Sequence, residues 1–282
     1  MSGSSYDLRE ISTNDGEDVR LYTFKRGDAF WRYASGDRDV SYAGDIYSAI
    51  AILDDGFKQK GQAVTDDFTI TVPSSIAIPR MFVGTPPSQP IKVQVRLLQY
   101  GDNFAPLVWT GFISSVKYRD PVTSDIVCNT QTFFLNRRGL RLAWTRGCTH
   151  NVYGPGCGLG AGDWAEPATI TALYGNAFGY ALDAQPSPAR WDNRFAAGFI
   201  EWNPDPAYVE RRGIQQDDGS TCILLGAADG LTVGMAVRLL PGCTLVPSSC
   251  RHFGDPGIGN ISRYGGFGML PGKSPFDGNP VF

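Results

Sequence analysis

The residues best equipped for chemistry in this 282-residue chain are its six cysteines, since only two histidines accompany them. Cys148 and Cys157 bracket eight residues, THNVYGPG, and Cys243 and Cys250 bracket six, TLVPSS. Four thiolates brought to one place form a ligand set for zinc or an iron–sulfur cluster. Both spacings are wider than the roughly two to four residues common within zinc pairs. Two disulfides and unrelated buried thiols therefore stay open beside a metal centre. Cys128, inside IVCNTQTF, and Cys222, inside TCILLG, read as buried apolar thiols. His150 and His252 each follow a cysteine by two positions. A mixed Cys/His zinc site is one reading of them; a packed or outer-shell role is the plainer one. Gly154, Gly156 and Gly158 suit a tight wrap around a cofactor, and equally an ordinary surface loop.

No catalytic motif competes with the cysteines. The chain lacks G-x-S-x-G, G-x-x-x-x-G-K-[ST] and H-E-x-x-H. The carboxylate pairs Asp54-Asp55, Asp66-Asp67 and Asp217-Asp218 lie near turn signals and read as solvated turns, because neighbours on a strand point to opposite faces. The pairs Arg137-Arg138 and Arg211-Arg212 read as surface or interface charges. A formal charge of −3 gives no electrostatic footprint for tight nucleic-acid binding. The sequence therefore predicts no enzyme.

The elements that must position the cysteines are predicted to be strands. Gly and Pro make up 34 and 19 residues and charged residues only 19%, which disfavours a helical bundle, while 42% hydrophobic content disfavours disorder. No apolar run is long enough to predict a membrane-spanning helix. Alternation with period two predicts strands at Val19–Lys25, Ala29–Ala34, Phe68–Val72, Ile91–Gln99, Leu107–Tyr118 and Ile126–Leu135, with Ala49–Gln59 also read as strand. They predict a barrel or sandwich of about 140 residues. A second, smaller β unit is predicted from Ala168–Tyr174, Phe199–Trp202, Tyr208–Gln215, Thr221–Gly226 and Met235–Leu240, with a hairpin turn at Asp217-Asp218-Gly219. The segment after Cys250 shows neither period, and its aromatics Phe253, Tyr264, Phe267, Phe276 and Phe282 suggest an irregular stretch wrapped over something. The opening MSGSSYDLRE carries no basic stretch followed by an apolar run, so no secretory signal is expected and synthesis is expected in the cytosol.

The cysteine pattern resembles a known family. WTRGCTHNVYGPGCGLG is similar to the first cysteine segment of bacteriophage tail-tip hub proteins, the group of the lambda minor tail protein L and the gene-transfer-agent hubs. CTLVPSSCRHFGDPGIGNISRYGGFGMLPGKSP resembles that family's second pair, followed by an aromatic, an Asn and a Gly-Phe-x-x-Leu-Pro-Gly ending, here Gly266, Phe267, Leu270, Pro271 and Gly272. FKRGDAFWRYASGDRDVSYAGDIYSA resembles its opening. Gly268 departs from a Pro common after Gly-Phe, and DPGIGN is inserted after Cys250.

The resemblance implies a mainly β fold: a tail-tube-like β-barrel or sandwich, a small β-barrel, and an irregular C-terminal segment organised by a cluster. It implies a hub domain over residues 1–145, a cysteine-cluster domain over 146–168 and 241–282, and a small barrel over 169–240 inserted between the pairs. Cys148, Cys157, Cys243 and Cys250 are implied as ligands of a [4Fe–4S] cluster, with zinc the alternative metal. The implied role is a virion structural protein assembled in the host cytoplasm into a homotrimer at the tail tip. Its implied partners are a tube or distal tail protein above and a central fibre or receptor-binding assembly below. Phage DNA would cross its lumen without specific binding. An iron–sulfur or zinc enzyme and a disulfide-stabilised adhesin are the competing readings.

Overall fold

A computed structural model describes residues 5–12, 16–57, 68–131, 144–184, 190–254 and 258–270. Asp66-Asp67, Arg137-Arg138, Leu135, Gln59, Pro271, Gly272, Phe276 and Phe282 lie outside the described residues. The chain divides into two units: Met1–Arg137 with Asp205–Val209, and Arg138–Pro204 with Glu210–Phe282.

The fold is mainly β, as the sequence predicts. In the first unit the strands are β1 (Asp18–Arg26), β2 (Ala29–Ala34), β3 (Val40–Tyr42), β4 (Asp45–Ala49), β5 (Leu53–Asp54), β6 (Phe68–Pro73), β7 (Lys92–Gln99), β8 (Leu107–Tyr118) and β9 (Thr123–Thr130). They form one sheet in the order β3-β4-β2-β1-β7-β8-β9-β6-β5. Strand β1 is buried on both faces. Its even positions Tyr22 and Phe24 join Val93, Val95, Ile70, Ile126 and Cys128 in one core. Its odd positions Val19 and Leu21 join Val40, Tyr47 and Leu98 in another. The period-two side-chain rule thus feeds two cores from one strand, in the manner of a sheet folded over itself.

Three expectations for this unit need correction. Of the described part of the segment Ala49–Gln59, residues 49–57, only the short β5 and the end of β4 at Ala49 are strand. The β3–β4 hairpin was not predicted: its two-residue turn, Ala43-Gly44, has positive φ at both residues, and alanine is not a turn signal. Asp54 is not a solvated carboxylate. Its side chain is fully buried, pairs with Arg20 and accepts from the Tyr22 hydroxyl, and burial pushes that phenol up.

The second unit is built on β10 (Glu166–Tyr174), β11 (Ala177–Leu182), β12 (Phe199–Asp205), β13 (Tyr208–Asp217), β14 (Thr221–Leu224) and β15 (Ala236–Leu240), of which the end of β12 and the start of β13, within Asp205–Val209, group with the first unit. They close as β10-β11-β14-β13-β12-β15, with β15 antiparallel to β10. Closure leaves this sheet no open edge. Alternate residues fill the interior: Ala168 and Ile170, Phe178 and Tyr180, Ile200 and Trp202, Cys222 and Leu224, Val237 and Leu239. Strand β11, AFGYAL, escaped the sequence reading because Gly179 interrupts its apolar pattern. Here a Cβ would come within 2.7 Å of the Thr171 hydroxyl, at the bulge where β10 shifts register.

Two further expectations change in this unit. Asp217 is buried: it accepts from the Tyr180 hydroxyl at 2.9 Å and from the main-chain N–H groups of Phe195 and Gly219 at 3.0 and 2.9 Å. Its neighbour Asp218 is the turn residue, accepting from Ser220 and Thr221 N–H at 2.9 and 2.6 Å. Of the arginine pair, Arg211 is exposed and bonded to Glu201 at 2.6 Å, whereas Arg212 is buried against Glu210.

Candidate metal centre

All six cysteines are free thiols. Cys128 and Cys222 are fully buried in the two apolar cores, as expected, and burial pushes both thiols up. The other four lie outside the strands, on the loops before β10 and after β15. Both loops belong to the second unit.

The path of these loops is set by main-chain bonds. Leu245 takes a left-handed conformation at φ 63°. That places its N–H 3.4 Å from Cys243 Sγ and its carbonyl under the Cys148 N–H at 2.8 Å, joining the two cysteine segments. Tyr153, in the first loop, is also left-handed at φ 61° and donates its hydroxyl to Pro241 O at 2.8 Å. Non-glycine residues held in this region are strained and persist only where their surroundings over-determine them.

The C-terminal stretch closes over both loops. Gly265 N–H points at Cys148 Sγ from 3.3 Å. The Asn260 side-chain amide donates to Cys157 Sγ at 3.4 Å and to Cys157 O at 2.9 Å. Cys250, at the end of the helical turn Pro247–Cys250, has its Sγ 3.1 Å from Asn260 O. Burial pushes the Cys250 thiol up to about 11, and Cys243, Cys157 and Cys148 add to the effect. The other three thiols are therefore within electrostatic reach of Cys250, although Cys148 and Cys157 come from a segment some 90 residues away.

Both histidines make specific contacts near the cysteine loops. The His150 ring is wedged between Gly156 and Gly265, where added Cβ atoms would come within 2.6 and 2.8 Å of it, and its Nδ1 lies 3.0 Å from Arg263 O. His252 stacks on Trp191 at 4.9 Å.

Aromatic contacts dock the loops beside the barrel. Phe253 is 1% exposed, 4.9 Å from Trp164, 5.0 Å from Trp191 and 6.3 Å from Tyr153. Tyr153 meets Phe199 of β12 edge-on at 6.0 Å. Glu166, which opens β10, is buried and receives Arg194 through two bonds of 2.8 and 2.7 Å and Arg190 through one of 2.9 Å. The prediction that the tail's aromatics cover something holds for Phe253. Phe267, by contrast, is 45% exposed and stacks on the exposed Trp144 at 4.5 Å.

The donor set is chemically consistent with a thiolate-held group: four soft sulfurs, three with N–H donors that would stabilise negative charge on sulfur. Among the described residues, no three His, Cys, Asp or Glu side chains gather tightly enough to hold one metal ion. A mononuclear tetrahedral zinc site needs sulfurs about 3.8 Å apart, from Zn–S bonds of about 2.3 Å. An iron–sulfur cluster takes each thiolate on a different iron and so accepts a wider set. Sequence reasoning missed Leu245 altogether and the anchoring hydroxyl of Tyr264, which donates to Arg146 O at 2.6 Å. Neither type signals such a role.

A second concave region lies in the first unit: a polar cleft of about 390 Å³ lined by residues including Asp54, Lys117, Arg119 and Asp125. Its Asp125 is bonded to Arg119 at 2.7 Å and to Thr71 at 2.8 Å, an arrangement in which structural pairing accounts for the charge.

Comparison with known proteins adds three findings. Residues 193–274 match the family described as phage conserved hypothetical protein BR0599. An uncharacterised protein of Xylella fastidiosa is 25% identical over 177 residues, 57% of this chain; the matched region spans only 36% of that protein's length. In three dimensions the chain is similar to a chain of the virion of a native gene transfer agent particle, with a TM-score of 0.73 and 16% identity over 99% of this chain and all of that one. At that identity the likeness shows the fold alone.

Proposed function

We propose that this chain is a structural virion protein, a tail-tip hub of the phage and gene-transfer-agent kind, in which Cys148, Cys157, Cys243 and Cys250 hold a [4Fe–4S] cluster. The observation that carries the reading is the tie between the two cysteine segments, with Leu245 O accepting from Cys148 N–H and Asn260 bonding both Cys157 and Cys250, in a fold similar to that of a chain of a gene-transfer-agent virion. The matched family description, a phage protein, supports the same setting.

In this reading the chain's task is architectural. When bound, the cluster supplies iron–thiolate bonds that cross-link the loop before the barrel to the loop after it. Leu245 and Asn260 hold the two loops in register, and Phe253 seats the tail against Trp164 and Trp191. Iron–sulfur is preferred to zinc because the cysteine segments resemble those of hubs whose four cysteines hold a [4Fe–4S] cluster, and because both pair spacings are wider than is common for zinc. A homotrimer would join a tube or distal tail protein above to a central fibre or receptor-binding assembly below. The net charge of −3 suits a lumen that lets DNA pass without holding it.

Imaging of purified particles with a gold-labelled antibody to this chain tests the role. Label confined to the tail tip is the expected result. Label on the capsid, or particles lacking the chain, would overturn it.

A further inference from the structure

We infer that Asn260 is a positioning residue that sets the electronic environment of the thiolate-held group by bonding one cysteine of each pair. The inference rests on the cluster reading above and goes beyond its four ligands. The Asn260 amide donates to Cys157 Sγ at 3.4 Å and, in a second bond, to Cys157 O at 2.9 Å. Its main-chain N–H donates to Cys250 O at 3.1 Å, and its own carbonyl lies 3.1 Å from Cys250 Sγ. One residue therefore bonds a sulfur on the first loop and the main chain of Cys250 on the second. Among the described residues, the hydrogen-bond donors to Cys148 and Cys243 are main-chain N–H groups, whereas Cys157 Sγ receives its bond from the Asn260 side chain, which substitution can remove.

The physical consequence follows from charge. An N–H donor withdraws electron density from a thiolate and favours the more negative, reduced state of any redox group bound to it. Asn260→Asp keeps the side chain's shape while replacing a donor by an anionic acceptor next to Cys157 Sγ. Asn260→Ala removes the donor without adding charge.

The test uses the full chain purified anaerobically, comparing wild type with both variants. Far-UV circular dichroism checks the fold, release of iron to a chelator reads retention, and EPR-monitored titration reads the reduction potential. Asn260→Asp is expected to keep the wild-type spectrum and lose iron about 10–100-fold faster, the usual size of an outer-shell effect. Its potential should fall by the equivalent of about tenfold in the one-electron equilibrium, about 59 mV. Asn260→Ala should fall between the two. Faster release with an unchanged potential would make Asn260 a plain structural residue and overturn the inference. Unchanged release and potential in an iron-loaded protein would overturn it as well, leaving the cluster reading intact. Wild-type protein without iron and sulfide would overturn both.

The contact can also be read without substitution, by pulsed EPR of wild-type protein labelled with 15N-asparagine. A resolved 15N coupling to the reduced cluster supports the inference, and its absence overturns it.

Discussion

Cys222 and Cys250 lie in the same unit of the molecule, and what holds each in place differs in kind. Cys222 sits on β14 in a closed barrel, among Phe178, Tyr180, Phe195, Trp202 and Leu224, where burial, strand pairing to β11 and β13 and a thiol bond to Asp217 at 3.7 Å specify its position. Cys250 sits on a single helical turn between loops with no regular period. Its neighbours are other thiols, an Asn260 carbonyl and one buried aromatic, Phe253. Barrels of this kind gather stability from buried apolar area, about 25 cal/mol per Å². The cysteine loops bury little, carry two left-handed non-glycine residues, and depend on a few main-chain bonds. In the proposed account, metal binding supplies their remaining folding free energy.

The largest expected effect comes from removing the metal. Chelation, or the double substitution Cys148→Ala with Cys243→Ala, should release the cysteine loops and the tail while leaving the barrel folded. Structural metal sites contribute on the order of 10 kcal/mol. Limited proteolysis should then cut around residues 144–158 and 241–270 and spare the β10–β15 strands; equal protection of both regions would break the contrast drawn above.

Phe253→Ala comes next. Deleting a fully buried Phe side chain costs about 3–5 kcal/mol. Here the loss should appear as undocking of the tail, with faster iron release to a chelator at an unchanged midpoint for barrel unfolding in urea. A shift of the barrel midpoint alone would show that Phe253 belongs energetically to the barrel.

Cys222→Ala should be milder, near 1 kcal/mol, the scale of one buried methylene. It should lower barrel stability in urea and leave iron content at the wild-type value. Iron loss in this variant would show that the core thiol and the loop thiols are not the separate classes their burial suggests.

The smallest change is expected for Leu245→Gly. Relief of a left-handed Leu, about 1–2 kcal/mol, opposes the conformational entropy of a new glycine, about 0.5–1 kcal/mol. Because the main-chain N–H to Cys243 Sγ is kept, chelator-driven iron release should match wild type. Leu245→Pro, which lacks that N–H and cannot take a positive φ, should instead accelerate release.

Much of the fold could be read from residue pattern. The strands Leu107–Tyr118 and Ala29–Ala34 agree with the predicted bounds, because alternation on a half-buried sheet is written directly into sequence. Strand β11 was hidden because Gly179 serves a close approach rather than a core position. The burial of Asp54 and Asp217 was hidden for a related reason: a carboxylate near a turn looks solvated until its partners, Tyr22 and Arg20 or Tyr180 and Phe195 N–H, are located across the sheet. At the centre, the cysteines were legible by type and spacing. Leu245 was not, since its contribution is made by main-chain atoms that every residue possesses.

The most direct test of the account is analysis of iron, acid-labile sulfide and zinc in anaerobically purified wild-type protein, with its visible spectrum. About four iron and four sulfide per chain, with broad visible absorption lost on substitution of Cys250, is the predicted result. A colourless protein without iron, with Cys148 oxidised to Cys157 and Cys243 to Cys250, would contradict it.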